Sequence, residues 1–225
     1  MKSERIAKAL ITRLPKSELV EFLNGVHSAA KRSAKLANDA GLEGAGKARV
    51  AGFTRFILSE NVLDNTAKSM GAEPLSGTIP ATDLRIYQTV HVKNGALLGL
   101  ATIPEPGILP AKNLTRANLS SIVNAHWQPD LFKTGPHPTI EIYAVLIVCR
   151  DPANISDLQE VAIAVISAKY DQYLHYEKLD QFLKRYEPVS EKKSAPAVKP
   201  KLKTASPYVA PEDEAARNIE QKKSV

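Results

Sequence analysis

Asn94-Gly95 is the residue pair that most narrows the fold. A two-residue type I′ turn needs positive φ at both central positions, and Asn-Gly supplies it at low steric cost. Before the pair, Leu84, Ile86, Gln88, Val90 and Val92 alternate with Arg85, Tyr87, Thr89 and His91. That is the period of a strand with two different faces. After it comes ALLGLATI, residues 96–103, the returning strand. PEPG breaks that strand. The chain must therefore build a sheet around a hairpin and cover it with what remains.

The residues before the hairpin keep helical spacing. Ile6, Leu10 and Leu14 recur until Pro15 stops the run. A second helix starts near Ser17 as N-cap and ends at Gly41. Leu19, Leu23, Val26 and Ala30 share one of its faces, and Lys31, Arg32 and Lys35 occupy the other. A third helix runs from about Lys47 to Met70, with Gly71 as its C-cap. Beyond the hairpin, Thr115 to Ala125 predicts a short helix with Leu119, Ile122 and Val123 inward. Residues 126–138 read as a loop, and Thr139 to Val148 as the most apolar and therefore central strand.

Ser156 and Gln159 form a capping-box pattern. From Leu158 through Val161, Ala162, Val165, Ile166, Tyr173, Tyr176, Leu179 and Phe182 to Leu183 the spacing predicts one long C-terminal helix ending near Tyr186. Residues 188–225 are rich in Lys, Pro, Ala and Ser, a composition that cannot offset ordering entropy, and read as a disordered tail. The expected class is α+β: N-terminal helices, a small mainly antiparallel sheet (hairpin plus one central strand) covered on one face, then the long helix and the tail. The expected divisions are 1–45, a basic helical N-terminal segment; 46–187, the α+β core; and 188–225, the tail.

Charge separates the same segments. Residues 1–49 carry ten Lys/Arg against five Asp/Glu, residues 50–187 twelve against fourteen, and residues 188–225 eight against five. Any grip on nucleic acid is thus expected at the two ends, through Arg13, Lys16, Lys31, Arg32 and Lys35 at the front, and is expected to be weak and sequence-blind. The single cysteine, Cys149, lies in an apolar run and has no internal partner for a disulfide, which points to a reducing compartment. No apolar stretch approaches the roughly 18 residues of a membrane span. The first residues, MKSERIAKALITRLPKSE, lack the apolar centre of a secretory signal, so a cytoplasmic protein is expected.

The residues with the clearest binding chemistry are Gln128-Pro129-Asp130-Leu131-Phe132. Adjacent Leu131 and Phe132 can fill neighbouring apolar subsites, for roughly 3–6 kcal/mol before ordering costs. Gln128 offers an amide that both donates and accepts at the rim of such a cleft. Pro129 fixes its own φ and biases Gln128 towards an extended shape. The string resembles QL(S/D)LF, the pentapeptide by which bacterial sliding-clamp-binding proteins hold the clamp. It matches at Gln128, Asp130, Leu131 and Phe132; Pro129 stands where Leu is usual. The resemblance implies the bacterial DNA polymerase sliding clamp as partner. For a chain with no P-loop, it also implies a non-enzymatic interaction factor, a replication inhibitor or toxin that occupies the clamp cleft. An antitoxin or protease adaptor would then control it.

Other patterns point elsewhere. Asp130 with Glu141 and Tyr143 imitates the PD-(D/E)xK arrangement of restriction-type nucleases, in which carboxylates hold Mg²⁺, but Tyr143 replaces the lysine. That makes a DNA-associated protein, such as a degenerate nuclease, the alternative reading. His126, His137 and Glu141 offer Zn²⁺ donors at a spacing that matches no metal signature. Tyr170, Tyr173 and Tyr176 read as a core or interface stripe. A structural or assembly protein is the further alternative. No catalytic residue, cofactor or metal is assigned.

Overall fold

The computed structural model describes residues 2–75, 90–127 and 141–186. It opens with three helices, α1 (Lys2–Ile11), α2 (Lys16–Asp39) and α3 (Gly44–Ser69). Strands β1 (Glu73–Pro74), β2 (His91–Lys93) and β3 (Ala96–Ile103) follow, then α4 (Leu114–Val123) with a 3₁₀ turn over Asn124–Trp127. Strands β4 (Ile142–Arg150), β5 (Leu158–Ile166) and β6 (Tyr173–Lys178) and helix α5 (Leu179–Lys184) complete it. The described residues are α+β.

Pro15, not Ser17, occupies the N-cap position of α2; its fixed φ of −76° suits the entry, and the Ser17 hydroxyl is spent on the Glu18 carboxylate instead. Within α2, Gly25 lets α3 come close, since a Cβ there would lie 2.6 Å from a Val62 methyl. At the hairpin, Asn94 and Gly95 take φ of 49° and 76°, as a type I′ turn requires, and Lys93 pairs with Ala96 across it. The earlier part of the alternating run, Leu84 to Thr89, lies outside the described residues.

The six strands lie side by side in chain order. Neighbours run antiparallel except β3 and β4, which pair in parallel from Ala96↔Ile142 to Ile103↔Cys149. A parallel pair needs a crossover, and α4 lies within it. Helices cover both faces of the sheet, where cover on one face was expected. Leu98, Leu100, Ala144, Leu146, Val148, Ile163 and Val165 pack with Ile6, Leu10, Leu19 and Phe22 of α1 and α2, and with Phe182 of α5. On the reverse face, Leu97, Ala101, Tyr143, Val145, Ile147, Ala162 and Ala164 meet Leu119 and Val123 of α4. Each Leu, Ile, Val or Phe among them stabilises the fold by roughly 1.5–3 kcal/mol.

The long C-terminal helix expected from Ser156 to Tyr186 is not formed. Its place is taken by β5, β6 and the six-residue α5. Every residue from Val161 to Ile166 is buried, because both faces of the strand are covered. An unbroken apolar run satisfies the helical period and the strand period alike. The β-branched content, Val161, Ile163, Val165 and Ile166, favours the strand. Ser156 and Gln159 do not cap a helix: the Ser156 N–H donates to Asn154 Oδ1 at 3.0 Å in the β4–β5 turn. Among the described residues, no helix is long and apolar enough to cross a membrane.

Candidate functional site

The segment carrying Gln128, Pro129, Asp130, Leu131 and Phe132 lies outside the described residues, but its two ends do not. Trp127 and Glu141 flank it, and the indole N–H of Trp127 donates to the Glu141 carbonyl at 2.9 Å. The half-buried Trp127 ring packs against the apolar core, and the Arg5 guanidinium lies over it, 5.5 Å from the ring centroid. Three residues earlier, Asn124 is fully buried and hydrogen-bonds the backbone of Tyr143 and Ile166. Trp127 and Glu141 are thus held together at one pinned point beside the sheet.

The basic residues do not converge. Lys16 stands at the start of α2, while Lys31, Arg32 and Lys35 lie exposed in its second half, roughly 22–28 Å along the axis at 1.5 Å per residue. Arg13, in the turn before α2, donates through Nη1 to the Ala9 carbonyl at 2.9 Å. Arg32 also borders a cavity of about 450 Å³ between α2 and α3, with Ser28, Asn61 and Asn65.

Tyr143 cannot serve as a surface ligand. Its side chain is buried, its hydroxyl has no hydrogen-bond partner among the described residues, and burial raises its pKa far above the usual tyrosine range. Glu141 is exposed, while Asp130 and His137 lie outside the described residues. Among the described residues no group of three His, Cys, Asp or Glu side chains converges as a metal site. Cys149 is buried in β4, and burial raises its thiol pKa, which holds it in the unreactive form. The three tyrosines do core work of a kind not read from the sequence: the Tyr170, Tyr173 and Tyr176 hydroxyls tie down Pro110, Ile108 and Gly107.

One arrangement has no signature in the sequence. Ser3 Oγ lies 2.8 Å from His175 Nδ1, and His175 Nε2 lies 3.6 Å from Glu177. The order resembles a nucleophile, a base and an acid, but Glu177 is already gripped by Arg185 Nε at 2.7 Å, and Arg185 also holds Glu4 at 2.8 Å. The group ties α1 to β6. Comparison with protein-family models, with curated proteins and with solved structures gives no match.

Proposed function

We propose that this chain is a non-enzymatic interaction factor that holds a bacterial sliding clamp through Gln128, Leu131 and Phe132, with Pro129 and Asp130 shaping the peptide. The observation that carries this reading is the Trp127–Glu141 hydrogen bond, which closes the base of the segment directly before Gln128. A peptide tethered at both ends loses less freedom on docking than a free one, so more of the Leu and Phe burial energy is left for affinity. Filling the clamp cleft excludes the polymerase and repair factors that use it, so inhibition of replication follows from binding alone.

The test is gel filtration of the protein with a purified bacterial sliding clamp. Co-elution that disappears in the Leu131→Ala, Phe132→Ala double variant is the expected result. Co-elution unchanged by the double substitution, or no co-elution of the wild-type protein, discards the reading.

A further inference from the structure

Arg55, on α3, is 5% exposed. A guanidinium carries five N–H donors and no acceptor. Nη2 donates to the Ile155 carbonyl at 2.7 Å, while Nε is buried and has no hydrogen-bond partner among the described residues. Buried charges are ordinarily paired with an opposite charge. Here the charged neighbour acting on Arg55 is a second cation, Arg150; burial first, and then that charge, lower the Arg55 pKa.

Both arginines border one cavity of about 310 Å³. It lies where α3 crosses the carboxyl ends of the parallel strands β3 and β4. Thr102 and Val148, register partners in that pair, form its floor, and Arg150 ends β4. Gly52 forms part of the wall, and a Cβ added there would meet nothing within 4 Å.

Among the described residues no carboxylate borders the cavity, and Asp151, Asp157 and Glu160, near Arg150 in sequence, have other partners. Asp151 accepts the Ala153 N–H at 2.8 Å, Asp157 accepts the Leu158 N–H at 2.8 Å, and Glu160 holds Lys178 at 3.0 Å. Among the described residues the cavity therefore has two guanidinium groups on its wall and no carboxylate beside them.

We propose that this cavity binds a small oxyanion, the phosphate or carboxylate group of a compact metabolite, in the fork of Arg55 and against Arg150, with the Thr102 hydroxyl as a further donor. Planar guanidinium donors match such oxygens two at a time, and the volume admits a molecule of a few atoms beyond the anion itself. The residues named for this site do not include any of 128–132.

Isothermal titration of the full chain with inorganic phosphate, and separately with succinate, tests it. One saturable site for either anion is expected, weakened about tenfold or more by Arg150→Gln, an exposed position, with the melting curve unchanged. Heat from phosphate alone assigns a phosphoryl ligand, and heat from succinate alone a carboxylate. In the ¹H–¹⁵N spectrum the Arg55 Nε–H signal should move on addition of the anion that binds. No saturable heat from either anion, undiminished binding in Arg150→Gln, or a stationary Arg55 signal overturns the proposal. The Leu131→Ala, Phe132→Ala variant should bind the anion as the wild type does, which separates this outcome from that of the clamp experiment.

Discussion

Asn124 completes the sheet at Tyr143. Its side-chain oxygen accepts the Tyr143 N–H at 2.9 Å, and its amide nitrogen donates to the Tyr143 carbonyl at 3.0 Å and the Ile166 carbonyl at 2.9 Å. The β4–β5 ladder begins at Val145↔Ala164, so Tyr143 and Ile166 lie two residues beyond it, where the strands no longer pair. One side chain supplies the partners that a further rung of ladder would have given.

Replacing Asn124 by Leu removes all three bonds and leaves three buried backbone groups without partners. At about 1–3 kcal/mol for each orphaned group, a loss of about 3 kcal/mol or more is expected in urea unfolding. Asn124→Asp keeps the acceptor but loses the donors and buries a charge, so its defect should shrink as pH falls and the carboxyl takes up a proton. A loss below about 1 kcal/mol in Asn124→Leu would mean that water replaces the amide.

Gly99 exists to make room for Tyr143. A Cβ at Gly99 would lie 2.7 Å from the Tyr143 hydroxyl and 3.2 Å from the ring, and the fully buried ring has nowhere to go. Gly99→Ala should cost about 1–3 kcal/mol, as overpacking does. Tyr143→Phe alone removes a buried hydroxyl without a partner among the described residues and should be neutral or stabilising. Adding Tyr143→Phe to Gly99→Ala should recover part of the loss, a coupling that thermal melts of the four proteins would reveal.

Trp127→Phe keeps an aromatic ring for Arg5 and for the core but removes the N–H that reaches Glu141. A loss of about 1 kcal/mol in stability is expected. On the clamp-binding reading, affinity should fall several-fold while the pentapeptide itself is untouched, because the closed base no longer restricts it. Surface plasmon resonance on immobilised clamp measures this directly, and equal affinities would remove Trp127 from the account.

Acid should destabilise the fold through two buried histidines. Burial lowers the pKa of His91, against Asp64, which favours its charge, and with Lys68, which opposes it. Burial likewise lowers His175, against Glu177 and Glu4 and with Arg185. A lowered folded pKa means that the unfolded chain takes the proton first, so stability present above about pH 6.5 is lost as pH falls below it. Glu60, whose carboxyl pKa is raised by burial, works in the opposite sense at the acid end of that window. The urea midpoint should therefore drop between about pH 7 and pH 5 in the wild type. The drop should be smaller in a His91→Gln, His175→Gln variant, and equal slopes would show that the histidines are not its source.

The legible parts of this fold were those in which one residue type answers one local demand. Asn94-Gly95 demanded a turn, and the stripe of Ile6, Leu10, Leu19 and Val26 demanded a covered helix face; both are met. The stretch from Leu158 to Leu183 misled because burial on both faces erases the alternation by which strands are recognised, and Tyr170, Tyr173 and Tyr176 recur at helical spacing by coincidence. Tyr170 in fact sits in the β5–β6 turn with φ of 58°. The Trp127–Glu141 tie had no signal, since its acceptor is a backbone carbonyl that any residue supplies. Arg55 and Arg150 are 95 positions apart and come to one cavity only through the tertiary fold, which sets α3 against the ends of β3 and β4.

That parallel join has an architectural corollary. On one side of it stand β1 to β3, on the other β4 to β6, each a meander complete in itself. Severing the chain between Trp127 and Glu141 would leave both ribbons whole and break no described strand. The molecule is thus laid out like a two-part reporter, whose halves could be carried on separate polypeptides and reunited along the β3–β4 seam and the helix packing that spans it.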